Sequence, residues 1–141
     1  MSKSNDSIAL AGRILIGVLF FMSGLSKIAA PAATQAAIGA VGLPVPELSY
    51  VGAVAVEVLG SLLLIAGFRV RAVALGMAVF TLATAAFFHR NFADQNQMIH
   101  FMKNVAIIGG LLQVAAFGGG RFSLDARRAR RTPLAQPSVA A

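Results

Sequence analysis

Residues 51–68 read VGAVAVEVLGSLLLIAGF and carry one formal charge, Glu57. As a helix this stretch would reach about 27 Å at ~1.5 Å per residue, close to the ~30 Å hydrocarbon core of a bilayer. With a small extension it becomes a span at about 49–68, and three more apolar stretches lie at about 8–28, 72–88 and 99–117. A water-soluble domain of this size has no use for four such stretches. The composition agrees: 57% hydrophobic and 12% charged residues, with mean hydropathy +0.78, against roughly 25% charged in soluble domains. The fold class expected is all-α, an integral membrane antiparallel four-helix bundle. A short polar segment at 1–7, expected to be frayed, precedes the membrane domain at 8–120. A basic tail at 121–141 is expected to lack fixed structure.

The 12 Lys and Arg residues give a net charge of +7, and their placement sets the orientation. Four spans leave both termini on one side. That side holds Lys3, Arg13, Arg69, Arg71 and the tail arginines Arg121, Arg127, Arg128, Arg130 and Arg131; the other holds Lys27, Arg90 and Lys103. Positive residues concentrate on the cytoplasmic face, so both termini are expected to be cytoplasmic. Arg69, Arg71 and the five tail arginines are read as topology and lipid contacts. No aromatic or motif partner accompanies them, so nucleic acid is not expected as a partner. In the first span, Arg13, Gly17, Phe20, Gly24 and Lys27 follow a 4-3-4-3 spacing. This is one helical stripe, with small residues that permit close helix approach. Arg13 and Lys27 lie near its two ends, where long side chains can snorkel to the headgroups. Three prolines break the loop at 29–49, with a short surface helix expected at 34–40.

Glu57 is costly in lipid, and such a residue is a functional-site hypothesis by default. In the expected topology it lies in the outer half of the bundle, where the other polar groups also gather. Lys103 or Asn104 is the first choice of partner, because span four reaches a similar depth, and Lys27 is the second. His89, Arg90 and His100 lie nearer the mouth. The candidate polar pocket is therefore Glu57, Lys103, Asn104, Lys27, His89, Arg90 and His100. It can serve as a structural ion pair holding the helices together, as a site for a ligand, proton or quinone head, or as a docking surface. Cysteine is absent, which removes disulfides, a thiol nucleophile and Cys-ligated metal. No metal site is expected. The glycines at 118–120 neither follow a strand nor open a helix, so a phosphate loop is excluded.

The pieces also resemble the DoxX family of small bacterial membrane proteins. The matching residues are Arg13-x6-Phe20-x3-Gly24-x2-Lys27, then Glu57-x2-Gly60 with Leu62-Leu63-Leu64 and Gly67. Arg71-Ala72 and Lys103-Asn104-x4-Gly109-Gly110-Leu111-Leu112 follow, and Gly118-x-Gly120-Arg121-x-Ser123-Leu124-Asp125 closes the series. The resemblance implies a multi-pass protein of the bacterial cytoplasmic membrane, from a family tied to quinone-linked oxidoreductases and oxidative-stress complexes. Its expected role is an accessory or quinone-associated subunit of a redox system, not catalytic by itself, with no intrinsic cofactor and quinone as the ligand. Beyond the bilayer, the partners implied are a soluble or membrane redox protein and a second copy of the chain. A small proton-coupled exporter is one alternative; a scaffold whose basic tail docks a partner or anionic lipid is another.

Overall fold

The computed structural model describes residues 3–131. Helix α1 (Lys3–Ala29) is followed by α2 (Pro31–Ala40) and α3 (Pro46–Ala55). Helix α3 runs through a π-helical turn (Val56–Gly60) into α4 (Ser61–Ala66), and these three form one continuous rod. Then come α5 (Val70–Phe88), α6 (Gln95–Phe117) and α7 (Leu124–Arg131). Among the described residues, four runs are long and apolar enough to cross a membrane: Asn5–Ala29, Pro46–Ala66, Val70–Phe88 and Gln95–Phe117. In lipid a helix satisfies its own backbone, which is why the chain crosses in this form.

Local sequence marks the helix starts. Pro31 and Pro46 occupy the first turns of α2 and α3, where a missing N–H costs nothing. Asp94 caps α6 by accepting from the backbone N–H of Asn96 and Gln97 at 2.8 and 3.1 Å. This cap starts the fourth span at Gln95, earlier than apolar content alone indicates, because the first turn is polar.

Span one packs against the α3–π–α4 rod, and α5 packs against α6; the two pairs join through α5 against the π turn and α4, and α1 against α6. The shared core is Phe20, Leu64, Val70, Ala74, Met77, Ala78 and Leu111. The predicted stripe of α1 is its buried face: Arg13, Gly17, Phe20 and Gly24 are all buried. A Cβ on Gly24 would come within 2.7 Å of the Val58 side chain, and one on Gly17 would run into Ile65. The glycines therefore set how closely span one approaches span two. Large apolar side chains cover the outside, with Leu15 73% and Phe117 71% exposed, as lipid-facing positions should be.

Three expectations are corrected at the end of the bundle where the termini lie. Arg13 does not snorkel. It is 0% exposed and donates to Leu64 O at 2.9 Å, Ile65 O at 2.8 Å and Phe122 O at 3.3 Å. It thus supplies donors to carbonyls at the end of α4 and in the segment before α7. The segment 1–7 is not frayed over its described part: α1 begins at Lys3, and buried Asp6 accepts from Arg121 N–H at 2.9 Å. The tail is helical over Leu124–Arg131, because Asp125 anchors it, accepting from the N–H groups of Arg69 and Val70 at 2.8 Å each. Residues 1–2 and 132–141 of those two calls lie outside the described residues.

Candidate functional site

At the opposite end of the bundle, the π turn carries Glu57, which is 5% exposed. A π turn inserts a residue into a helix and is frequent at functional sites. The first-choice partner is corrected: Glu57 pairs with Lys27, whose Nζ lies 2.9 Å from both Oε1 and Oε2. The reason is packing. Span one lies directly on the π turn, and at Gly24 a Cβ would sit 3.2 Å from that of Glu57. Span four instead pairs mainly with α5.

Ser23, one turn before Lys27, completes the network. Its hydroxyl donates to Glu57 Oε1 at 3.2 Å and accepts from Lys27 Nζ at 3.0 Å. Tyr50 tethers the Lys27 backbone, its hydroxyl donating to Lys27 O at 3.4 Å. Glu57 Oε2 is buried beside Lys27 Nζ but receives no directed hydrogen bond. Its stabilisation is therefore Coulombic, and Coulomb attraction is strong where water is scarce.

Two cavities meet at this ion pair. The larger, about 560 Å³, lies between α2, the α3 rod and α5. Its walls are Ala33, Ala37, Ile38, Leu43, Ala53, Phe80, Ala83, Phe87 and Phe88, with Lys27, Glu57, Thr34, Ser49, Thr84 and His89 supplying polar atoms. The smaller, about 380 Å³, lies on the α6 side and is lined by Leu19, Phe20, Ser23, Lys27, Glu57, Phe80, Thr81, Thr84, His89, His100, Lys103, Asn104 and Ile107. The pair, with Phe80, Thr84 and His89, forms the partition between them. Six of the seven candidate pocket residues thus line the smaller cavity, and Arg90 lines neither. His89 and His100 stack with ring centroids 5.0 Å apart, and His89 Nδ1 lies 3.0 Å from Gln97 Oε1. Among the described residues no group of His, Cys, Asp or Glu is arranged to hold a metal ion.

Sequence reasoning missed Ser23, Tyr50, the apolar walls and the π turn. Ser23 was findable, since four residues before Lys27 is one helical turn on the same face. The π turn leaves no mark in an apolar run. The basic residues assigned to topology lie away from this site. Arg69 and its neighbour Val70 are capped by Asp125. Arg71 lines a shallow cleft at that end with the glycines at 118–120. Arg130 donates to Arg121 O at 3.3 Å, Arg128 lies over the Phe68 ring at 4.6 Å, and Arg121 over Phe122 at 5.8 Å.

Comparison with known proteins fits a membrane bundle. The chain is 42% identical over 125 residues to the inner membrane protein YqjF of Escherichia coli (strain K12), covering 89% of this chain and 95% of that protein. It is 34% identical over 125 residues to the inner membrane protein YphA of the same organism, covering 85% of this chain and 89% of the relative. No solved structure is significantly similar to it. The DoxX family model matches residues 8–90, which include α1 from Ile8 onward with its Arg13–Lys27 stripe, the Glu57 turn and α5. With more than half its length in that match, the chain belongs to the DoxX family.

Proposed function

We propose that this DoxX-family chain is an inner-membrane protein that holds a quinone as an accessory component of a redox system. The supporting observation is the Lys27–Glu57 pair at the base of an apolar cavity of about 560 Å³. That volume falls within the ~300–1,000 Å³ of small-molecule clefts, which combine apolar walls with a few placed polar groups. The lining fits a quinone. Phe80, Phe87 and Phe88 offer flat surfaces to a ring, while Ala33, Ala37, Ile38 and Leu43 offer an apolar bed to a tail. Lys27 is the donor available to a ring carbonyl, while His89, with Nδ1–H turned to Gln97 Oε1, offers Nε2 as an acceptor to a quinol hydroxyl. When bound, a quinone supplies the electron-carrying chemistry, and the protein supplies orientation and electrostatics. Glu57 and Ser23 fix the ammonium group, α2 covers the cavity, and the apolar walls keep water out.

The test is to purify the full chain in mild detergent, extract it for ubiquinone and menaquinone, and titrate a short-chain quinone into stripped protein. Saturable binding is expected, weakened about tenfold or more by Ala83→Trp, which fills the larger cavity. Quinone-free protein with no saturable binding rejects the proposal.

A further inference from the structure

We propose that the smaller cavity, about 380 Å³, is a separate site for a small organic anion, held through its carboxylate by Lys103. The cavity has an uncompensated positive charge. Its one carboxylate, Glu57, is engaged by Lys27 at 2.9 Å. Lys103 has no carboxylate within 4.0 Å among the described residues. It lies about 12 Å along α6 from the start of that helix, and its side chain, exposed in part, brings to the cavity an ammonium whose charge a bound anion would balance.

The α6 wall is built by helical spacing. His100, Lys103, Asn104 and Ile107 stand at i, i+3, i+4 and i+7, which brings them onto one face, and all four line the cavity. Lys103 therefore belongs to a polar wall, with its side chain also exposed. His100 stacks on His89, whose Nδ1–H donates to Gln97 Oε1, so His89 Nε2 is an acceptor and the imidazole donor on this wall is His100. Ammonium, amide and imidazole N–H groups are the donors that a carboxylate accepts from. The rest of the lining includes Leu19, Phe20 and Phe80. An inorganic ion would leave these side chains uncovered, whereas a carboxylate with a compact apolar body covers them. This site stands apart from the quinone reading, because Lys103, Asn104 and His100 line only the smaller cavity.

The probe is benzoate, titrated by calorimetry into quinone-stripped full chain in detergent, so that failure of quinone binding leaves the result standing. Wild type should bind benzoate saturably, Lys103→Gln about tenfold or more weakly, and Lys103→Arg within about threefold. Sulfate should bind at least about tenfold more weakly than benzoate, for want of apolar contact. Absence of saturable benzoate binding, or equal binding by Lys103→Gln, overturns the site. Sulfate binding as tight as benzoate overturns the ligand class.

Discussion

Glu57 and Arg13 are both buried charges in membrane-spanning helices, but the protein satisfies them differently. Arg13 is spread over three backbone carbonyls, a fixed structural role that a planar fork of five donors suits and a lysine would not reproduce. Glu57 rests on one ammonium and one hydroxyl, and cavities adjoin it on either side. That difference separates a structural charge from a candidate site. Removing one partner of a buried pair costs about 3–5 kcal/mol, whereas an exposed pair contributes about 0–1. The Lys27 side chain is 26% exposed and that of Glu57 6%, so Glu57→Gln and Lys27→Met should each destabilise by about 1–3 kcal/mol. The double variant should lose less than the sum, with about 1–2 kcal/mol of coupling. Unfolding in mixed micelles measures all four proteins, and strictly additive losses would show that the pair contributes nothing. The sequence made Glu57 conspicuous because a carboxylate among apolar residues stands out. It could not choose between Lys27 and Lys103, since the choice depends on which helices touch, and glycine spacing on α1 was the only hint.

At the level of elements, the turn between α4 and α5 explains a part of the chain that the sequence left as a bare pattern. Gly67 adopts a left-handed φ of +73°, and a side chain there would run into Ser123 and Arg13. Its carbonyl accepts from Asp125 N–H at 3.0 Å, while the Asp125 carboxylate caps the first N–H groups of the α5 start. Ser123 closes the turn by donating to Gly120 O at 2.6 Å. The run Gly118 to Asp125 is thus a clasp tying the start of α7 to the turn before α5, with Asp6 and Arg13 of α1 gripping its backbone. A capping carboxylate contributes about 1–2 kcal/mol. Asp125→Ala should therefore destabilise by about that amount, and amide exchange should quicken at Arg69 and Val70 but not at His89, at the far end of α5. Hydrogen exchange resolved along α5 checks this, and uniform change along the helix would point to global loosening instead. The residue types were readable in advance, but their purpose was not, because the bonds span more than fifty residues of sequence.

For the molecule as a whole, lipid explains both what was legible and what was not. Span number and approximate limits could be read, because a bilayer demands long apolar runs whatever the tertiary structure. Pairing of spans could not, because lipid-facing and helix-facing side chains are chemically alike; Leu64 is fully buried and Leu15 largely exposed, yet both are leucine. The bundle separates its polar groups into two ends. One is the clasp, with the arginines of α7; the other is the Lys27–Glu57 partition, with the two cavities and the loop between α5 and α6. The nine basic residues on the first side against three on the second predict that the clasp faces the cytoplasm and the cavities lie in the outer half of the membrane. The chain has no cysteine, so single cysteines report position without background. In intact cells a membrane-impermeant maleimide should label Glu47→Cys and Ala93→Cys, both exposed at the cavity end, and should reach Ala129→Cys on α7 only after permeabilisation. The opposite result would invert the molecule and open the cavities toward the cytoplasmic leaflet. Labelling of all three from one side would break the four-span arrangement itself, and with it the meeting of Lys27, Glu57, His89 and Lys103 in one half of the bilayer.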